Sequence, residues 1–340
     1  MSSSLRRFLI TRILLTIPMV LILVTLIFFV MRVLPGDPIR SQLGPRVSEE
    51  QANVLRERLG LNRPLYVQYF DFLWDMVTLD FGTALTQGER PIKDELGERL
   101  PATIELTIPA ITITALLGIL SGAFAAKNRK KPIDYAIRLM SIAIYSIPIF
   151  FMGLLFQIVF SVRIPILPLS GRMDTLLLTQ FESITNFYVI DSILTGNWPA
   201  LKSAIGHLIM PSITLGLALT GVFVRLTRVN MIEMLQSDFI TAGRARGIPE
   251  RRLVYKHALR NTFIPILTLL GLQFAILLAG AVLTETTFSW PGVGRYLVDR
   301  IELRDYTAVQ ATIAVFALFV AAISLLMDIL YAFIDPRIRY

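Results

Sequence analysis

Residues 237–261 read SDFITAGRARGIPERRLVYKHALRN. Six lysines and arginines, one histidine, two acids and two glycines are held between long apolar runs. Ser237 or Asp238 is placed to cap a helix opening at Phe239. Gly247 is placed to end that helix in a left-handed conformation. Residues 239–246 would then form a helix about 12 Å long. Pro249 suits the first position of a second helix, with Glu250 at its positive end, running to about Asn261. Thr241, Ala242, Gly243 and Ala245 are small, so another backbone or a groove wall can come close. Arg244 and Arg246 can grip acidic or carbonyl groups at the rim. Two readings stand on these residues alone: a docking knob, or a solvated basic loop beside anionic headgroups.

The flanks decide the setting. The chain has 340 residues, 54% of them hydrophobic, and a mean hydropathy of +0.63, too apolar for a soluble protein of two domains. Six nearly uncharged runs stand out, at about 8–31, 101–126, 133–160, 206–224, 263–284 and 307–334. Each is long enough to cross a hydrocarbon core about 30 Å thick as a helix. The runs are continuous rather than alternating, which favours helices over barrel strands, and backbone groups in lipid must be satisfied within each segment. The expected fold is an all-α integral membrane bundle of six spans. The first run is too long for a signal-peptide core and no small-residue cleavage site follows it, so it reads as a retained anchor.

Six spans put both termini and two loops on one side. Those segments (1–12, 127–138, 225–262 and 335–340) hold 18 basic and 5 acidic residues. The opposite segments (32–100, 161–205 and 285–306) hold 15 and 18. The positive-inside rule places both termini, and residues 237–261, in the cytoplasm. The net charge of +8 is therefore a topology signal and not a nucleic-acid footprint.

Residues 1–31 form a tail and first span, 32–100 an extracytoplasmic helical segment, and 101–340 a core with five spans and the cytoplasmic loop 225–262. Ser48-Glu49-Glu50-Gln51 has the capping-box pattern. Tyr66, Tyr69, Phe70, Phe72 and Trp74 suit a helix on the bilayer or against the spans, or a ligand-contacting surface. Pro18, Pro109, Pro148 and Pro211 fall inside spans, where proline bends a helix.

Several chemistries are excluded. The chain has no cysteine, so disulfides, thiol catalysis and cysteine-bound zinc are ruled out. No GxxxxGK[ST] loop occurs, so ATP is not bound that way. His207 and His257 lie at opposite membrane faces and share neither a metal nor a catalytic dyad. Glu105 and Asp328 are the acids within spans. Each reads as a snorkelling or structurally hydrogen-bonded group, or as a functional one. Gln157 and Gln273 either bond neighbouring helices or line a pathway. Glu285, Phe288, Trp290, Pro291, Gly292 and Gly294 make a glycine-proline loop. It reads as the outer mouth of a pathway or as an interface turn with aromatic anchors.

The opening stretch resembles the EAA loop of ABC importer permeases, in the variant typical of the dipeptide/oligopeptide/nickel family. The match lies in TAGRARG (241–247), HALRN (257–261) and Ile264-Pro265. Thr241 replaces the glutamate of the general pattern, Gly243 the second alanine, and Arg260 the later proline. Elsewhere LPGDP (34–38), YSIPIF (145–150), LPLSGR (167–172), TETTFSWPGVGRYLVDRIELRDY (284–306) and the final DPRIRY are similar to the family's segments. Overall length and the long insert after SGR are most like the B-type permease subunit of dipeptide importers.

The resemblance implies a type I, MetI-like bundle in the bacterial plasma (inner) membrane that imports di- or oligopeptides. It implies a second homologous permease, two cytoplasmic ATP-binding subunits carrying ATP and Mg, and an extracytoplasmic binding protein as partners. No catalytic residue, metal or cofactor is expected on this chain. Phe239, Thr241, Ala242, Gly243, Arg244, Arg246 and Gly247 would form the ATPase-coupling element, with His257, Arg260 and Asn261 bracing the return. Ser146, Pro148, Gln157, Gln273, Glu285, Phe288, Trp290 and Pro291 are the candidates for the pathway or outer gate. The same architecture could carry haem, nickel or another solute. An intramembrane enzyme is the alternative of another class, and it lacks a catalytic set.

Overall fold

The computed structural model describes residues 3–33, 48–58, 60–84 and 90–334. LPGDP and DPRIRY lie outside them. The described residues are mostly helical, with one isolated antiparallel bridge between Thr83 and Pro91. In chain order the helices are α1 (Ser3–Val33), α2 (Glu49–Arg58), α3 (Leu65–Thr78), α4 (Ile92–Lys127) and α5 (Pro132–Ser146). Next come α6 (Ile149–Gln157), α7 (Thr175–Leu178), α8 (Tyr188–Leu194), α9 (Trp198–Leu235) and α10 (Asp238–Ala245). The last four are α11 (Glu250–Arg252), α12 (Leu259–Thr287), α13 (Val293–Glu302) and α14 (Tyr306–Ile334).

Among the described residues four helices are long and apolar enough to span a bilayer: 10–32 of α1, α4, α9 and 306–329 of α14. Helices α5 and α6 with its π-helical extension qualify together as a fifth, bent by 96°. The remaining apolar run lies in α12, a 29-residue helix, several of whose side chains are outside the description. Six spans are compatible with this set. Apolar side chains on α1 face outward, as in Leu14 (60% exposed) and Ile22 (60%), which suits lipid and not water.

Proline acts differently from place to place. Pro18, Pro109 and Pro211 sit inside continuous helices. Pro148 stands at the break between α5 and α6, with φ −56° and ψ 133°. The Pro148 ring clashes with a helical backbone at the residue before it, and Ile147 is extended (φ −79°, ψ 125°).

Helices α4 (36 residues) and α9 (38 residues) form the centre. At 1.5 Å per residue each is about 55 Å long, so both project beyond the hydrocarbon. They meet through Gly118-x-x-x-Gly122. A Cβ at Gly118 would lie 2.3 Å from Phe223 Cβ, and one at Gly122 would lie 2.8 Å from the Val224 carbonyl oxygen. Thr114 Oγ1 donates to the Gly216 carbonyl across the pair at 2.7 Å. Close backbone approach supplies the dispersion contacts that replace a hydrophobic driving force in lipid. Gly118→Val is expected to wedge the pair apart at a cost of about 1–3 kcal/mol or more. The check is the melting temperature of the purified chain, and an unchanged value would refute this close contact.

Three of the four apolar clusters among the described residues join the long helices. One joins Val24, Phe28, Phe72, Ile92, Val293, Tyr296 and Ala308. A middle cluster joins Ala102, Leu106, Leu215, Leu277 and Trp290. The third joins Ala123, Ala126, Met231, Ile240, Leu253, Val254 and Ala258. It ties α10 to the ends of α4 and α9 and so positions the basic loop.

Candidate functional site

Helix α10 opens at Asp238, one residue earlier than the sequence suggests. Ser237 stands at the N-cap position, but its hydroxyl donates backward to the Met234 carbonyl (2.6 Å) and caps nothing. The far end closes as expected. Gly247 has φ +75°, the Gly247 amide donates to the Arg244 carbonyl (2.9 Å), and the Ile248 amide to the Gly243 carbonyl (3.1 Å). This paired arrangement is a Schellman stop, which needs a residue at ease in the left-handed region.

Pro249 precedes α11 with extended backbone instead of occupying its first turn. The chain then passes through a π-helical turn, Leu253–Ala258, directly into α12. The return helix and the span are thus one rod with one bulge. His257 lies in the bulge, where its carbonyl accepts from Asn261 Nδ2 at 3.1 Å. Arg260 and Asn261 are exposed on the first turn of α12.

The small face of α10 divides in two. Thr241 and Ala242 point outward with Phe239 (45% exposed), Arg244 and Arg246. Gly243 and Ile240 are buried. A Cβ at Gly243 would meet Leu253 Cδ2 at 2.7 Å, so this glycine serves packing within the chain. Arg244 is also committed internally. It donates from Nε and Nη2 to the Glu250 carboxylate (3.1 and 2.9 Å) and from Nη1 to the Leu235 carbonyl (3.3 Å). That bonding holds the Glu250 carboxyl below its usual value despite some desolvation. The contribution is complete above the ordinary carboxylate value and is lost as pH falls through the lowered one. Of the predicted coupling side chains of α10, Phe239, Thr241, Ala242 and Arg246 are thus exposed outside that ion pair.

A buried clamp steadies the same end. Arg228 Nε and Nη2 donate to the two oxygens of Asp134 at 2.6 and 2.7 Å, and the Lys130 amide donates to Oδ2 at 3.1 Å. Bidentate geometry fixes α5 against α9. A groove of about 540 Å³ opens beside it, lined by Arg138, Ser141, Tyr145, Gly221 and Arg225.

At the opposite end, TETTFSWPGVG is a buried polar network. Glu285, fully buried, accepts from Thr103 Oγ1 (2.6 Å) and from the Arg295 amide (2.9 Å). Thr103 Oγ1 in turn accepts from the Val293 amide at 2.9 Å. Side chains from α4 and α12 thereby satisfy the free amides that open α13. Trp290 Nε1 donates to the Ala102 carbonyl at 2.9 Å, and Trp290 and Phe288 are buried. Pro291 is half-buried.

Glu105 binds Arg172 of LPLSGR, at 2.9 Å from Nε and 2.6 Å from Nη2. It also accepts from the Val189 amide at 2.8 Å. Arg172 lies 3.8 Å from the Tyr188 ring centroid and 5.7 Å from that of Trp290. Glu95 binds Arg300 (2.9 Å) and the Tyr296 hydroxyl. Asp328 sits 3.5 Å from Arg12, linking α14 to α1.

The remaining pathway candidates are dispersed. Ser146 and Pro148 are exposed at the α5–α6 break. Gln157 bonds the carbonyls of Leu169 (2.9 Å) and Thr287 (3.2 Å). Gln273 is buried, with Oε1 unpartnered. Glu105 and Glu285 stand out in the sequence, but their partners do not. Arg172, Thr103, Asp134 and Arg228 carry no local signal of their pairings, because the partners are 67 to 182 residues apart.

Residues 118–340 match the family model for binding-protein-dependent transport system inner membrane components. Residues 5–107 match the N-terminal model of such membrane components. The chain is 42% identical over 316 residues to a di/tripeptide transport system permease protein of Pseudomonas aeruginosa, covering 93% of each. It is 37% identical to the dipeptide transport system permease protein of Escherichia coli, covering 98% of this chain and 99% of the relative. It is 36% identical to the glutathione transport system permease protein of the same organism, with the same coverage. With both parts matched and the helical bundle in place, the chain belongs to the family of inner membrane components of binding-protein-dependent transport systems.

Proposed function

We propose that the chain is a pathway-forming permease subunit of an ATP-driven importer of di- and oligopeptides. It is a multi-pass transport component and not an enzyme. In this reading it sits in a bacterial inner membrane with six spans and both termini cytoplasmic. Residues 1–31 are the first anchor, 32–100 the extracytoplasmic segment and 101–340 the permease core. Its partners are a second permease, two ATP-binding subunits holding ATP and Mg, and a substrate-delivering protein outside.

The observation that carries the reading is the seating of α10. A short, sharply terminated helix shows Phe239, Thr241, Ala242 and Arg246 to solvent, while Ile240 and Leu253 root it on α4 and α9. A push on that surface reaches the two longest helices without passing through flexible chain. Such a rooted knob can bias a bundle between two states when a partner closes. Residues 253–261 convey the same push directly into α12. The groove between α5 and α9, near Ser146, is the candidate wall of the pathway. The Glu285–Trp290 network is the candidate outer support.

Cargo is inferred from relatives named for dipeptides, tripeptides and glutathione. Reconstitution with the partner subunits and a binding protein, followed by uptake of a labelled dipeptide, tests it. ATP-dependent accumulation of the dipeptide is expected, with haem and nickel not accumulated. Accumulation of haem or nickel alone would overturn the peptide assignment.

A further inference from the structure

Far from α10, Arg32 lies in the last turn of α1, and a pocket of about 310 Å³ opens between α1, α3 and α14. That volume is at the lower end for small-ligand sites. Its lining includes Arg32, Gln68, Asp75, Asp80, Tyr306 and Gln310. Three of these carry buried polar atoms without a hydrogen-bond partner: Arg32 Nε and Nη1, Gln68 Oε1, and Gln310 Nε2. Gln310 is only 6% exposed and Gln68 only 8%. Gln68 is held in place because its Nε2 donates to the carbonyls of Leu61 (3.0 Å) and Arg63 (2.7 Å). Buried polar groups are rarely left unpaired, and each one so left costs free energy until a ligand satisfies it.

The lining has two electrical halves. Arg32 and Gln310 offer N–H donors, which suit an anion. Asp75 and Asp80 offer carboxylates, and Gln68 an acceptor, which suit a cation. Burial, with the charges of Asp80 and Asp71, holds the Asp75 carboxyl above its ordinary value, a condition that a nearby cation relieves. No group of three or more metal-ligating side chains exists among the described residues, so a polyatomic cation fits better than a metal ion.

The surroundings are apolar and outward-facing. On α1, Leu26, Phe29 and Val30 are 58%, 51% and 52% exposed. On α3, Tyr66, Phe70 and Trp74 form an exposed stripe at four-residue spacing, as suits an aromatic belt at the headgroup level. A ligand with a zwitterionic head and apolar tails matches both the pocket and the surface beside it.

We propose that this pocket binds the headgroup of phosphatidylethanolamine, with Arg32 and Gln310 taking the phosphate, and Asp75 and Asp80 the primary ammonium. The acyl chains lie along the exposed face of α1.

Native mass spectrometry of the full-length chain tests this, with the phosphatidyl lipids of ethanolamine, choline and glycerol added in equal amounts. Preferential retention of the ethanolamine lipid is expected. Arg32→Gln and, separately, Gln310→Leu should each reduce that retention, the former about tenfold, the scale of one lost charged hydrogen bond. Asp75→Asn combined with Asp80→Asn should abolish the preference over the choline lipid, which has no ammonium N–H. Arg90→Gln, an exposed pair outside the pocket, should change nothing, and melting temperatures identify any variant that misfolds. Equal retention of all three lipids would overturn the proposal. So would displacement of the ethanolamine lipid by a soluble dipeptide, because the site would then take peptide zwitterions.

Discussion

Arg172→Met is expected to lower the stability of the chain by about 3–5 kcal/mol, the usual result of removing one partner from a buried ion pair. Arg172 and Glu105 have side chains only 4% and 7% exposed. Without the guanidinium, Glu105 keeps the Val189 amide but loses its countercharge in a low-dielectric site. The Asn186 carbonyl loses its 2.6 Å donor at the same time. Tyr188 and Trp290 lose the cation between them. Three segments separate together: the start of α4, the insert around α8, and the WPG loop. Thermal unfolding followed by size-exclusion chromatography reads the loss. Adding Glu105→Leu to Arg172→Met should restore much of it, because a matched apolar pair carries no stranded charge. If the single variant melts with the parent chain, the pair does not hold the outer face together.

Ala242→Glu should leave the chain folded and abolish transport. Ala242 is exposed on α10, so the carboxylate stays solvated in the isolated chain. Docked in a partner's groove it would be buried without a mate, a penalty of about 2–5 kcal/mol. Docking weakens at least tenfold on that scale, at about 1.4 kcal/mol per factor of ten. Uptake should vanish while the partner ATPases still hydrolyse ATP. Gly243→Glu makes the contrast. With Leu253 Cδ2 2.7 Å from the first added carbon, that change should disrupt the loop's own packing and lower the yield of folded chain. Normal uptake with Ala242→Glu would remove α10 from the coupling role.

The apolar runs were legible because lipid imposes continuous helices of a set length. The stop at Gly247 was legible because a left-handed residue after a short helix has a local signature. What escaped was where helices join and which way side chains face. The break at Pro148 and the intact helices at Pro18, Pro109 and Pro211 look alike in sequence. They differ in where they fall: Pro148 stands at the break between α5 and α6, whereas the other three sit inside continuous helices. The burial of Gly243 beside the exposure of Ala242 follows from Leu253, ten residues further on, and from the π-helical turn that sets its direction. No periodicity argument reaches that far. Glu105 and Glu285 announced themselves as acids near apolar runs, yet their partners came from distant segments that only the folded bundle brings together.

The absence of cysteine from this chain makes one measurement unusually clean. Ala242→Cys places a single thiol on the exposed face of α10. In a purified complex with the partner subunits, a short bifunctional reagent should join residue 242 to an ATP-binding subunit. The yield should change between the ATP-bound and ATP-free states. No crosslink from residue 242 in either state, with uptake by the Ala242→Cys complex intact, would contradict α10 as the coupling element.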